Sequence, residues 1–234
     1  AFNWGRLLSE YTEIVFKAAS LDQTITEEQP INNYVEKFSK ILEQYQDEEY
    51  SKLFLLNVNS VISKETKISN SKNNLPLSRK VALTLFRMMR YKDEYEVARL
   101  HTSGEFAKSF FNENKNIKLE YYLAPPLFSK KDPETGHLIK QRFGPWIFQA
   151  FKILSSLKFL RKTKFDIFGY TTERKKERAL FKKTINTINK ISDNLSENNY
   201  EKIIDFLDIP LSIKGYGHVK EKNMIIAENK WDKT

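Results

Sequence analysis

Three histidines, His101, His137 and His218, are the side chains of this 234-residue sequence that titrate closest to neutral pH. None of them occurs in the HxxxH or HExxH spacing that brings two imidazoles to one helical face around a metal ion. The sequence has no cysteine, which excludes disulfides, thiolate nucleophiles and cysteine-ligated zinc or iron–sulfur sites from this chain. We therefore assign no catalytic, cofactor-binding or metal-ligating residue.

Asp93 and Glu94 are neighbouring carboxylates in the charged segment YKDEYEVARL. Adjacent residues of a helix point in different directions, so these two do not form a convincing acid–base pair. Together with Lys92, Glu96 and Arg99 they can form a docking network. The alternative is a set of solvated ion pairs, each contributing about 0.3–0.5 kcal/mol.

Two short motifs place cations beside glycine and proline. Lys140 and Arg142 precede FGPW and can bind an anionic substrate or a phosphate; the alternative is a packed hairpin end with its cations in solvent. In GYGHVK, His218 and Lys220 stand where a helix N-terminus near Val219 can receive an anion. The alternative there is that Tyr216 and His218 only cap and pack the last helix.

The positive charge of the chain is concentrated in one stretch. Residues 138–183 contain thirteen Lys/Arg and three Asp/Glu, a local charge of +10, whereas the whole chain carries +9. Such a patch suits nucleic acid, a phosphorylated ligand or an acidic protein, or is simply a solvated face. Lysine supplies 30 of the 39 basic residues, which weakens the case for nucleic acid. The candidate docking residues are Arg161, Lys162, Lys164, Arg174, Lys175, Lys176 and Arg178.

The elements that must position these residues are mostly helical. Apolar residues at helical spacing predict amphipathic helices, with Arg174, Lys175, Lys176 and Arg178 largely outward on one that Thr172 caps. A long central helix is expected over 77–100, and a largely buried one after Pro145 that includes Trp146. Four of the seven prolines lie within 123–146, which together with strand-like residues predicts a small β-hairpin around 117–143.

The predicted fold class is thus a mainly α, irregular multi-helix domain with one small hairpin. Residues 1–20 are interpreted as a helical tail of a preceding domain or a linker, and 21–234 as the helical domain, with a mobile loop near 63–74. The N-terminus has neither an initiator Met nor signal-peptide character, so Ala1 is expected to mark a cut in a longer polypeptide. No apolar run is long enough to cross a membrane, and we expect a cytoplasmic protein.

Six blocks occur in this order along the chain: YKDEYEVARL, LAPP, DPETG, FGPW, FDIFGYTTERKKERAL and IKGYGHVKEKN. Together they resemble the C-terminal region of the indolepyruvate ferredoxin oxidoreductase family. These enzymes are thiamine-diphosphate-dependent 2-oxoacid:ferredoxin oxidoreductases that act on arylpyruvates. The resemblance covers about 91–223, and WGRL near the start looks like the tail of the preceding γ-type domain.

The resemblance implies a large, homo-oligomeric parent enzyme that decarboxylates a 2-oxoacid oxidatively to an acyl-CoA and reduces ferredoxin. Thiamine diphosphate, Mg²⁺ and iron–sulfur clusters are its implied cofactors, with coenzyme A as co-substrate. This chain has no Gly-Asp-Gly motif for the thiamine cofactor and no cysteine for a cluster, so we expect the fragment alone to be non-catalytic. It would assist assembly, positioning or docking, with ferredoxin as a candidate partner. The alternative is a freestanding basic helical module that binds nucleic acid or another protein.

Overall fold

The structure is a computed structural model of the chain. It describes residues 30–68, 75–103, 120–124, 129–130, 133, 139–161, 163–215 and 217–233, with the side chains of 217 and 218 left aside. The helix predicted at the N-terminus, the turn at DPETG apart from Pro133, and Lys162 and Tyr216 lie outside these residues. Each helix in the described ranges is too short or too polar to cross a lipid bilayer.

The mainly α fold class with one small hairpin is confirmed. The helices are α1 (Ile31–Tyr45), α2 (Glu48–Ile68), α3 (Pro76–Met89), α4 (Glu94–Thr102), α5 (Ile147–Ser156), α6 (Thr172–Asn194), α7 (Tyr200–Phe206), α8 (Asp208–Leu211) and α9 (Gly217–Trp231). Short 3₁₀ turns cover Leu157–Leu160, Phe168–Tyr170 and Glu197–Asn199. Strands β1 (Tyr121–Leu123) and β2 (Gln141–Phe143) pair antiparallel, with Tyr121 opposite Phe143.

The largest hydrophobic core lies between α1, α2 and α3, and one face of α6 closes it. Phe38 of α1 stacks on Phe86 of α3 with ring centroids 4.0 Å apart, and Phe54 of α2 meets the edge of the same Phe38 ring. Ile188 contributes from α6. The helix α3 buries residues on adjacent faces, as expected for a central helix.

Glu65 explains why α2 is longer than the sequence predicts. Residues 63–68 are helical, so the expected loop at 63–74 is wrong over its first half; 69–74 lie outside the described residues. The buried Glu65 carboxylate accepts hydrogen bonds from the Leu77 and Ser78 amides, at 3.0 and 2.7 Å, and from the hydroxyls of Ser78 and Tyr200. It satisfies the free amides at the start of α3, which has no side-chain cap of its own.

Replacing Glu65 by glutamine tests this role. The Glu65→Gln amide would turn a donor toward backbone amides that are themselves donors, and we expect about 2–3 kcal/mol of unfolding free energy to be lost. Urea unfolding followed by circular dichroism measures it. Glu36→Gln, on the exposed face of α1 beside Lys40, is the matched control and should leave the midpoint unchanged. Equal midpoints for the two variants would contradict the cap.

Asp93 divides the helix predicted over 77–100 into two. The structure ends α3 at Met89 and starts α4 at Glu94, and the Asp93 side chain accepts from the Glu96 amide at 2.8 Å as the N-cap of α4. The single long helix is therefore wrong. Helical periodicity continues across the break because both helices bury one face, but residues 90–93 are not helical and Asp93 caps a new helix.

A smaller core joins α4 and α5 to the hairpin, with Ala98, Tyr121, Ile147 and Phe151 buried in it. The expectation that Trp146 is buried at the start of α5 is wrong: its ring is largely exposed and meets only the edge of Phe143 among the described rings. A third core places Met224, Ala227 and Trp231 of α9 against α6 and the end of α3.

His101 packs at the edge of the hairpin core with part of its side chain exposed, and its stacked face is removed from water. Its ring stacks on Phe151 at 5.3 Å and meets the edge of Tyr121. Burial, and secondarily the charge of Lys92, lower the pKa of His101 below its usual 6.5. Because the folded state then favours the neutral ring, this contribution to stability is present above the unfolded pKa and is lost as the pH falls below about 6.5.

We accordingly expect a lower thermal midpoint at pH 5.5 than at pH 7.5, and a smaller difference between the two in His101→Gln. Lys92→Gln should reduce the difference only in part, since it removes the secondary cause. Calorimetry at both pH values measures this. Retention of the full wild-type difference in His101→Gln would show that another group titrates.

Candidate functional site

The charged residues that the sequence singled out meet at the start of α4. Asp93 and Arg161 are both buried, and the guanidinium contacts the carboxylate twice, Nε to Oδ2 at 2.6 Å and Nη2 to Oδ1 at 2.8 Å. Nη1 donates to the carbonyl of Tyr45 and to Gln46 Oε1 at 3.1 Å. Arg161, from the segment after α5, thereby joins the end of α1 to the beginning of α4.

Aromatic rings surround this ion pair. The Arg161 guanidinium lies 3.9 Å from the Tyr45 ring centroid and 5.4 Å from that of Tyr95. Burial by itself would lower the pKa of Arg161, but the hydrogen bonds and charge of Asp93 outweigh it and raise the pKa above its ordinary value. Burial raises the pKa of Tyr45 well above its usual value, and the Asp93 charge adds to this. Both groups keep their charge state across the accessible pH range.

A second charged pair lies beside the first. The Arg174 Nε of α6 is 3.7 Å from Glu94 Oε2, and its guanidinium lies 5.6 Å from the Tyr91 ring centroid. Burial raises the pKa of Glu94, against the opposing charge of Arg174. The expectation that Arg174 points outward is wrong, because its side chain is buried against α4.

The segment 163–171 forms a compact loop, here called the aromatic loop, that is anchored by one buried carboxylate. Asp166 Oδ1 accepts from the Gly169 amide at 3.0 Å and from the Tyr95 hydroxyl at 3.3 Å. Arg178 of α6 donates to the Gly169 carbonyl. A Cβ at Gly169 would clash with the Asp166 side chain, so this position requires glycine.

The aromatic loop exposes apolar side chains around that anchor. Phe165 is 75% exposed, Ile167 57% and Tyr170 60%. The Tyr170 hydroxyl donates to the Lys164 carbonyl at 3.0 Å, which ties the end of the loop to its beginning. Among the large apolar side chains of the loop, Phe168 alone points inward, and its ring packs perpendicular to the ring of Tyr95. The loop thus has its carboxylate inside and three large apolar groups outside, the reverse of the usual arrangement.

A family model matches residues 31–233, nearly all of the described chain. The chain belongs to DUF6537, a family of unknown function. No curated protein and no solved structure matches it.

The remaining predicted residues described in this DUF6537 chain are exposed or form ion pairs, of which the pair of Lys220 and Glu177 is largely buried. Lys140, Lys164 and Lys175 are exposed, and Arg142 pairs with Glu120 across the hairpin. The other two cations line a shallow pocket between α6 and α9, where Lys176 pairs with Glu221 and Lys220 donates to both oxygens of Glu177 at 2.7–2.8 Å. Lys162 and the His218 side chain lie outside the described residues.

The structure therefore divides the predicted docking set. Arg161 and Arg174 leave it because their guanidinium groups are buried and paired, whereas Lys164 and Lys175 stay as exposed cations near the aromatic loop. Across the described ranges, no group of three or more histidine or carboxylate side chains is arranged to hold a metal ion.

Sequence reasoning missed three contributors to this site: Tyr45, Tyr95 and Asp166. The Tyr95–Asp166 hydrogen bond spans 71 residues and the Arg161–Tyr45 hydrogen bond spans 116, so no local spacing reports them. The glycine in FDIFGY is the one local signal, because a glycine between aromatic residues marks a close contact.

Removing one partner of the central pair should be strongly destabilising. Arg161→Met leaves Asp93 buried without its counter-charge, and we expect a loss of about 3–5 kcal/mol in unfolding free energy. Adding Asp93→Asn should restore part of that loss, since the neutral amide needs no counter-charge and can still cap α4. Urea titration measures both, and Arg142→Met, an exposed arginine in an ion pair, is the control. If Arg161→Met lowers the unfolding free energy by less than about 1 kcal/mol, the pair contributes no more than an exposed salt bridge does.

Proposed function

We propose that this chain is the helical C-terminal module of an indolepyruvate-type 2-oxoacid:ferredoxin oxidoreductase. The parent, a cytoplasmic homo-oligomer, converts an arylpyruvate to an acyl-CoA with thiamine diphosphate, Mg²⁺ and iron–sulfur clusters, and passes the electrons to ferredoxin. The module itself carries no part of this chemistry; it holds the parent's other domains in place and contributes to docking.

The observation that carries the proposal is the way two of the resembling blocks meet. YKDEYEVARL and FDIFGYTTERKKERAL are about 70 residues apart in the sequence, yet Tyr95 bonds to Asp166 and Glu94 faces Arg174. Arg161, just before the second block, closes the contact through Asp93. Charged groups that pair with one another inside the fold stabilise one arrangement of the helices. That is the role of a module that positions other domains.

The same pairing weakens the alternative of a nucleic-acid-binding module. Backbone recognition of nucleic acid needs a row of accessible cations. Within the basic stretch Arg161 and Arg174 are buried, while Lys176 and Lys183 pair with Glu221 and Asp232. The aromatic loop favours the other alternative, protein interaction, which is compatible with a module of a larger enzyme.

Ferredoxin reduction by the complete polypeptide that contains this chain tests the proposal. Supplied with indolepyruvate, coenzyme A and thiamine diphosphate, the purified polypeptide should reduce ferredoxin, and omission of the 2-oxoacid should abolish the reaction. If polypeptide that carries its iron–sulfur clusters shows no arylpyruvate-dependent reduction of ferredoxin, the assignment is wrong.

Docking of ferredoxin is a separate part of the proposal and rests on the exposed lysines. In the complete polypeptide, Lys164→Glu with Lys175→Glu should raise the apparent KM for ferredoxin about three- to tenfold at low salt and flatten its dependence on ionic strength. Lys182→Glu with Lys190→Glu, exposed on α6 farther from the aromatic loop, is the charge-matched control. An unchanged salt dependence in the first pair would remove this surface from ferredoxin docking.

A further inference from the structure

The apolar side of the aromatic loop has no partner among the described residues that would explain it. Resting on the proposed function, we propose that Phe165, Ile167 and Tyr170 form a permanent contact with another domain of the same parent polypeptide. The surface that receives them has an apolar centre and an acidic rim.

The loop is built to hold these side chains in place before contact. The Asp166 amide donates to the Thr163 carbonyl, the Gly169 amide to Asp166, and the Thr171 amide to the Phe168 carbonyl. Arg178 holds the loop against α6 through its hydrogen bond to the Gly169 carbonyl. A surface fixed in this way loses little conformational entropy when it binds, which is how preorganised interfaces gain affinity.

The exposure of the three side chains distinguishes a permanent contact from a transient one. Three large apolar side chains that are each more than half exposed, at positions 165, 167 and 170 of one loop, are typical of surfaces that stay covered. Interfaces that form and part repeatedly, including those of electron carriers, are small and polar, whereas permanent ones resemble a core cut in half. The loop therefore fits a domain partner better than it fits a diffusing carrier. A domain seated here would cover Lys164 and Lys175, so this contact and ferredoxin docking at those two lysines exclude one another.

The charge around the loop indicates the character of that partner. Arg161, Arg174, Asp166 and Glu177 are buried and contribute no accessible charge to the surface of residues 157–178. The exposed charged side chains described in this stretch are Lys164, Lys175 and Lys176 against Glu173, so the accessible charge is positive. Complementary interfaces match charge of opposite sign, so the receiving surface is acidic at its edge.

The absence of cysteine from this chain allows a direct test. Ile167→Cys is made in the chain of residues 1–234 and in the complete polypeptide, and maleimide labelling is quantified by mass spectrometry on the tryptic peptide that spans 165–174. We expect rapid labelling in the isolated chain and at least tenfold slower labelling in the complete polypeptide. Equal rates in the two contexts would overturn the proposal.

Leu56→Cys is the matched control. Leu56 is an aliphatic residue 70% exposed on α2, which packs on α1, α3 and α6 rather than on the aromatic loop. Its labelling rate should be the same in both contexts. If the labelling of Ile167→Cys in the isolated chain becomes slower as the protein concentration rises, a second copy of the chain is the occupant. Protection by phosphatidylserine vesicles would identify a membrane, and either result overturns the domain contact.

Serine substitutions separate the contact from the stability of the chain itself. Phe165→Ser with Ile167→Ser should leave the melting temperature of the isolated chain unlowered, because both side chains are in water. In the complete polypeptide the same pair should make limited proteolysis release this module about tenfold faster, with Leu56→Ser unchanged. A lowered melting temperature of the isolated chain would show that the loop packs within the chain and would overturn the proposal.

These results remain distinct from those that test the proposed function. A polypeptide that protects Ile167→Cys but shows no arylpyruvate-dependent ferredoxin reduction keeps the domain contact and rejects the enzymatic assignment. A polypeptide that reduces ferredoxin but labels Ile167→Cys freely keeps the assignment and rejects the contact.

Discussion

The buried pair of Asp93 and Arg161 joins parts of the chain that no local interaction would bring together. Asp93 caps α4 and holds two guanidinium nitrogens, while the third reaches the carbonyl at the end of α1. Removing two charges from water is costly, and such a pair is tolerable only where the remaining donors are also satisfied. Here the Tyr45 carbonyl and Gln46 satisfy them, so the contact specifies one arrangement of α1, α4 and the segment after α5.

The reversed polarity of the aromatic loop follows from that arrangement. Two residues after Arg161 the chain enters a space already lined by Tyr95 and by Arg178, which offer hydrogen bonds rather than an apolar cavity. Asp166 takes the inner position because its carboxylate can accept from the Tyr95 hydroxyl and the Gly169 amide, while Arg178 donates to the Gly169 carbonyl. The side chains of Phe165 and Ile167, the neighbours of Asp166 on either side, are then exposed to solvent. The apolar surface is in this sense a consequence of the polar interior beneath it.

Sequence periodicity predicted those elements whose buried face is a regular stripe. Helical spacing predicts that Tyr34, Phe38, Ile41 and Tyr45 form one apolar face; three of them are buried along α1, and Ile41 is half-buried. The hairpin pairs within the range predicted from its strand-like residues. The cap of α6 was misplaced by one residue, at Thr172 rather than Thr171, because both threonines offer the same hydroxyl. The helix over 77–100 and the early loop after residue 62 failed for a common reason. Asp93 and Glu65 are polar side chains whose effect depends on distant partners.

The residues of the sequence by themselves determined that this chain is mainly helical, has one hairpin, lacks cysteine chemistry and concentrates its positive charge between 138 and 183. These properties follow from composition and short-range periodicity, which act over a few residues. Only the tertiary structure decided which charges are structural and which remain accessible. Arg174 and Lys175 are adjacent and both basic, yet one is buried against Glu94 and the other lies in solvent. That difference arises because burial and ion pairing are set by contacts between residues far apart in the chain.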